Sequence, residues 1–190
     1  MSASVKIPDL MTVDEFLVWE PDDTSRYELV DGVPVAMAPT SNAHAMLQSR
    51  LDRLIGNHLE ATRPGCEVMS NPGVIPKRRP KINFRFPDLG VTCAPVVPTE
   101  NSVPEPVLLV EILSPRHQSD TMANVWTYTS IPSVTEILVL HSDRVAVDLL
   151  RRAEDGTWPD RTTAVGGDTL ELASIGLSLS LAELYAGIGH

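Results

Sequence analysis

Eight residues constrain this chain more than any others: Val107 to Ser114, reading Val-Leu-Leu-Val-Glu-Ile-Leu-Ser, an aliphatic run with one carboxylate, Glu111, at its centre. Pro104 and Pro106 stand at its start and Pro115 ends it. Breakers at both ends, with β-branched and aliphatic residues between them, predict a strand buried on both faces in the middle of a sheet. An ionised carboxylate in such a strand costs several kcal/mol unless a cation, a set of hydrogen-bond donors or a solvent cleft compensates it. One reading is a structural Glu, salt-bridged to an arginine at a strand end. The other is a functional carboxylate, and Pro87-Asp88 on the preceding strand candidate favours it.

If the two strands are neighbours in the right register, Asp88 and Glu111 converge on one point. Two hard oxygen ligands close together are what Mg2+ or Mn2+ requires, and they repel one another unless a cation is present. Such an ion polarises a phosphodiester and lowers the pKa of a bound water, so that hydroxide can attack phosphorus at neutral pH. The pairing therefore predicts nuclease chemistry, although Pro-Asp is a common dipeptide and a buried Glu can be structural.

The rest of the chain supplies a frame for that pair. Thr12 to Glu15 has capping-box spacing, predicting a short helix over 13–19 that Pro21 ends. Residues 26–37 read as two strands joined by Asp31-Gly32, a hairpin turn that needs positive φ, with Pro34 marking the second arm as an edge or a bulge. Leu47, Leu51, Leu54, Ile55 and Leu59 recur at helical spacing over 43–62, before Pro64-Gly65. Strands are expected over 67–70 and 83–93, and a Pro-rich surface loop over 94–106. A helix over 119–130, capped by Ser119 or Asp120, should turn Val125 and Tyr128 to the sheet. Strands over 135–141 and 144–150, a further short strand near 170–172, and residues 175–179 leading to a closing helix near 181–185 complete the reading. No repeat or linker divides the chain, so one domain over residues 1–190 is expected.

Charge narrows the function. With 15 Lys and Arg against 25 Asp and Glu, the net charge of -10 argues against a protein that coats nucleic acid electrostatically. The densest basic patch, Lys77-Arg78-Arg79-Pro80-Lys81, lies in a Pro-flanked loop and reads as a solvated surface, with Arg151-Arg152 a smaller second patch. No apolar run approaches the roughly 18 residues needed to cross a bilayer, and no secretory signal follows Met1, so no membrane association and a cytoplasmic location are expected. Cys66 and Cys93 have no C-x-x-C spacing and are expected to be buried small hydrophobes rather than a disulfide framework or a zinc site.

Several motifs in order carry a more specific signal: Tyr27-Glu28-Leu29-Val30-Asp31-Gly32, His44, Pro87-Asp88, Val110-Glu111-Ile112-Leu113-Ser114-Pro115, Asp120, Tyr128 and Gly176-Leu177-Ser178-Leu179. Over residues 10 to 186 or so the chain resembles the Uma-type restriction endonuclease family of the PD-(D/E)XK nuclease superfamily. The resemblance implies an α/β (α+β) fold with a restriction-endonuclease-like core, in which helices flank a central mixed β-sheet and a β-hairpin lies at the N-terminal side. It implies metal-dependent cleavage of phosphodiester bonds in a nucleic acid, DNA, with Mg2+ or Mn2+ as cofactor and, by analogy, a homodimer that cuts two strands. Residue by residue, it implies that Asp88 and Glu111 hold the metal and that Glu28 is a third acidic group approaching the metal or its waters, while a surface carboxylate in a hairpin is the alternative. It places His44 near the cleft as a phosphate or water ligand, against the alternative of a cap or packing residue.

One position departs from the pattern. The superfamily's basic motif has a lysine two residues after the acidic partner, where this chain has Leu113. Uma-type sequences resemble a migrated version with the lysine in the next helix, between Asp120 and Tyr128, where this chain has Asn124; no lysine follows Lys81. Asparagine can hydrogen-bond a water or a phosphate oxygen but brings no positive charge to the reacting phosphate. Three accounts stay open: Arg116 or His117 substitutes for the lysine, Lys77 or Lys81 folds over the cleft, or catalysis has been lost. In the last case the domain would be a nucleic-acid or protein binding module, or would simply dimerise.

Overall fold

In the computed structural model, residues 10–115, 118–164 and 167–188 are described. Their order is α1 (Val13–Leu17), β1 (Tyr27–Val30), β2 (Val33–Ala36), α2 (Asn42–Thr62), β3 (Glu67–Ser70), β4 (Leu89–Thr92), β5 (Pro106–Leu113) and α3 (Gln118–Tyr128). Then follow β6 (Glu136–His141), β7 (Val147–Arg151), β8 (Thr163–Ala164), β9 (Thr169–Leu172), β10 (Leu177–Ser180) and α4 (Leu181–Leu184). The sheet order is β3-β4-β5-β6-β7-β8, with β5 and β6 parallel and the other neighbours antiparallel, which makes it mixed.

β5 is the central strand the sequence predicted, and it separates two cores. Leu108, Val110 and Ile112 pack with Leu47, Leu51, Ile55 and Leu59 of α2 and with the closing elements β9, β10 and α4. Leu109 and Leu113, of opposite parity, pack with Val125 and Tyr128 of α3 and with Ile137 and Val139 of β6. Burying each such aliphatic contributes about 1.5–3 kcal/mol, and a strand covered on both faces receives this at every position. A third cluster joins α1 and β1 through Val13, Phe16, Leu29 and Phe84.

Local signals act as expected at several ends. Thr12 and Glu15 form the reciprocal capping box of α1, which stops at Leu17, two residues earlier than the apolar pattern suggested. Asp31 and Gly32, at φ 49° and 84°, make the tight turn between β1 and β2. Pro34 sits in β2, whose other edge is unpaired within its two-stranded sheet, so its missing N–H removes no inter-strand bond there. Ser41 caps α2 through a bond from the His44 amide.

Three expectations are corrected. The strand predicted over 83–93 is only Leu89–Thr92, because Phe84 bridges Leu29 and Arg85 bridges Val74, committing that stretch to the hairpin side before Pro87. α3 begins at Gln118, so Ser119 and Asp120 lie within its first turn and not at the N-cap position. Its Val125 and Tyr128 are nevertheless buried against the sheet. Cys66 and Cys93 are not free buried thiols but a disulfide, with Cys93 exposed. Glu67 pairs with Thr92, so one step further the antiparallel register sets Cys66 opposite Cys93. Sequence spacing does not reveal this, since strand register decides it. The disulfide also runs against the usual redox state of cytoplasmic chains.

Candidate active site

The functional reading depends first on register. Leu89 pairs with Val110, and one step outward Asp88 stands opposite Glu111. Directly opposed residues of antiparallel strands project to the same side. The register is locked by the Asp88 side chain itself, whose Oδ2 accepts a 2.7 Å bond from the Ile112 amide. His44, on the first turn of α2, places Nε2 at 2.8 Å from Asp88 Oδ1, and Gln48, one turn on, donates to the Asp88 carbonyl at 2.8 Å.

Glu111 is 7% exposed, and its Oε1 accepts a 2.7 Å bond from the hydroxyl of fully buried Tyr128. Burial pushes the Glu111 carboxyl well above the ordinary range; the charge of Asp88 adds to this, the Tyr128 hydroxyl opposes it, and Glu28 adds a smaller push. Tyr128 is itself raised well above a normal phenol, first by burial and then by the charge of Glu111. Glu28 enters from β1. Its Oε1 accepts from the Phe86 amide at 2.9 Å and its Oε2 from Asn124 Nδ2 at 3.1 Å. Burial raises the Glu28 carboxyl, against the pull of those two donors and of Arg85.

These groups share one cleft of about 550 Å3, whose lining includes Glu28, His44, Arg85, Asp88, Glu111 and Asn124. The hairpin supplies one wall through Val35 and Met37, and Ala123 of α3 contributes to another. Asn124, at the position where the family pattern has a lysine, donates to Glu28 and brings no positive charge. His44 is not the cap of α2, since its amide donates to the capping Ser41; its buried ring binds Asp88 at the cleft.

Lys77 and Lys81 do not fold over the cleft. Both are exposed, and Lys77 lines a separate cavity of about 650 Å3 with Val103 and Ile131. The physical reason is that their loop is tied elsewhere: the Lys81 carbonyl accepts from Val13, the Ile82 carbonyl from Gly32, and Arg79 pairs with Asp31 at 3.5 Å. Arg116 and His117 lie outside the described residues.

Sequence reasoning passed over Arg85. It is 5% exposed, donates NH1 to the Leu29 carbonyl at 2.6 Å and NH2 to Asn83 Oδ1 at 3.0 Å, and lines the cleft beside the carboxylates. The signal was present: a lone Arg between Phe84 and Phe86 is the same anomaly as Glu111 in its strand.

A divalent ion suits part of this donor set. Among the described residues no three of His, Cys, Asp and Glu converge as a ready cage. Asp88 and Glu111 nonetheless present carboxylate oxygens to one cleft, and their mutual repulsion is what raises Glu111 beyond the effect of burial. Mg2+ is commonly held by one or two carboxylates with waters and substrate phosphate completing the shell, so two carboxylates fit it.

Similarity to known proteins agrees with this geometry. Residues 13–182 match the model of the Uma2 family, described as "Putative restriction endonuclease". An uncharacterised protein of Synechocystis sp. is 32% identical over 189 residues, covering 98% of this chain and 97% of its own length. A crystal structure from Anabaena variabilis, described as a "putative nuclease" of DUF820, superposes with a TM-score of 0.75 at 18% identity, covering 94% of this chain and 99% of that one. At that identity the likeness establishes a shared fold, the mixed α+β nuclease-like core.

Proposed function

This chain belongs to the Uma2 family of restriction-endonuclease-like proteins, and from that premise we propose that it is a divalent-metal-dependent endonuclease that hydrolyses phosphodiester bonds of DNA. One observation carries the reading: Asp88 and Glu111, brought opposite one another by the β4–β5 register, line a single cleft in which burial and then the charge of Asp88 raise the Glu111 carboxyl.

Mg2+ or Mn2+ between the two carboxylates would supply Lewis-acid polarisation of the phosphate and a water of lowered pKa. The residues of the chain do the rest. Asp88 is fixed through both oxygens by His44 and the Ile112 amide, so a ligand there meets a carboxylate that does not reorient. Glu111 is aimed by Tyr128. Glu28, held by Phe86 and Asn124, lines the same cleft and would serve there as an acceptor for a water or a proton. In this reading DNA is the partner, and two copies act together on two strands. Among the described residues no helix is long and apolar enough to cross a membrane.

A second reading is favoured by Asn124. It is neutral and already donates to Glu28, so the cleft could hold metal and nucleic acid without cutting. Plasmid and single-stranded DNA incubated with Mg2+ or Mn2+ separate the two. Cleavage by wild type that Asp88→Ala abolishes supports the endonuclease. An inert wild type with a cutting Asn124→Lys identifies a site decayed at one position, and inertness of both together with no metal binding refutes the proposal.

A further inference from the structure

Arg85 poses the question that Glu111 posed in the sequence. It is 5% exposed, its Nε is buried without a hydrogen-bond partner among the described residues, and its two other nitrogens are bound to neutral oxygens of Leu29 and Asn83. Among the described residues this guanidinium forms no ion pair, which is costly for a buried charge, and removing it from water gains nothing for packing that a methionine would not provide. The compensation lies in the cleft it lines, with Glu28, Asp88 and Glu111. Two contacts fix it there. The Leu29 carbonyl that holds the guanidinium follows Glu28 in β1, and the Phe86 amide that holds Glu28 follows Arg85 in the chain. The Leu29–Phe84 bridge ties the two segments together.

We propose that Arg85 is the fixed positive charge of this cleft, directed at the phosphate of a bound nucleic acid and serving electrostatically where Asn124 brings no charge. The inference rests on the endonuclease reading above and adds to it the source of the missing cation. Three ionised carboxylates and a divalent ion leave the cleft with an excess of one negative charge, and a phosphodiester entering it adds another, so a further positive charge is needed. The always-protonated guanidinium provides one without a proton transfer. Its charge reaches across the cleft rather than through a contact, so Arg85 is a positioning and electrostatic group in this scheme.

The charge predicts a sign that a structural arginine does not. A fixed cation repels Mn2+, so neutralising it should tighten Mn2+ binding while weakening catalysis; an arginine that only holds the hairpin should, when replaced, loosen the cleft and weaken both. Mn2+ affinity is measured by calorimetry at pH 8 on wild type, Arg85→Gln and Arg85→Lys, with thermal unfolding and plasmid cleavage in parallel. Arg85→Gln keeps an N–H donor for Leu29 and loses the charge; Arg85→Lys keeps the charge and loses the fork. The expected result is Mn2+ bound at least 5-fold more tightly by Arg85→Gln with cleavage reduced at least 10-fold, and Arg85→Lys within about 3-fold of wild type in affinity. Equal weakening of Mn2+ binding in both variants overturns the inference, as does a loss of 10-fold or more in Arg85→Lys alone should the Gln variant not fold. Absence of Mn2+ binding by wild type overturns the metal reading itself, and this inference with it.

Discussion

Replacing Glu111 by Gln tests whether this carboxylate exists for the fold or for a ligand. Asp88 and Glu111 stand opposite one another on antiparallel strands. With carboxylates about 5 Å apart and an effective dielectric of about 20, two ionised groups repel by about 3 kcal/mol. The substitution removes that repulsion, keeps the shape, and reduces the Tyr128 hydrogen bond from charge-assisted to neutral, a loss of about 1 kcal/mol. In EDTA at pH 8 the variant should therefore be more stable than wild type by about 1–2 kcal/mol, a rise in Tm of roughly 2–8 °C for a chain of this size. The gain has a pH signature. Glu111 has its folded pKa raised well above 4.5, so the folded protein holds a proton that the unfolded chain releases. Wild-type stability is accordingly full below the unfolded value and falls as pH rises towards the folded one, while the Gln variant has no such loss. At pH 4 the two should unfold together. Adding Mn2+ at 100 times its Kd should stabilise wild type by about 2.7 kcal/mol and leave the variant unchanged. Denaturant unfolding with and without metal at the two pH values measures all of this, and a variant that loses 3 kcal/mol or more at pH 8 in EDTA would refute the argument by making Glu111 a structural residue.

Two predictions concern parts of the fold away from the cleft. The Cys66–Cys93 disulfide closes a sequence separation of 27 residues, so Cys93→Ser should lower stability by about 3–4 kcal/mol on the chain-entropy account, read by denaturant unfolding, with Mn2+ affinity unchanged because neither cysteine lines the cleft. Glu136, 1% exposed in β6, accepts from Arg151 Nε and from the Ala173 and Ser174 amides, joining the central sheet to the turn between β9 and β10. Glu136→Ala should cost about 3 kcal/mol in thermal or chemical unfolding without changing metal binding, the reverse of Glu111→Gln.

The contrast between Glu111 and Glu136 shows what composition and pattern decide about this chain. Each is a single carboxylate in an aliphatic strand, and local sequence treats them alike; one is compensated by three donors, and the other faces a cleft and a second carboxylate. What the sequence determined is what acts over a few residues: the capping box of α1, the Asp31-Gly32 turn, the helical stripe of α2, the central strand β5, and the ordered motifs that identify the family. Tertiary structure decided what depends on register and on approach from distant segments. It set Asp88 opposite Glu111 and Cys66 opposite Cys93, and it drew the hairpin over the sheet so that Glu28 meets Asn124 across 96 residues. It also assigned the cleft's buried cation to Arg85, not to the exposed lysines of the basic loop. Caps, turns and periodicity arise from short-range hydrogen bonds and sterics, whereas convergence of charges depends on which surfaces pack together, and only the folded chain specifies that.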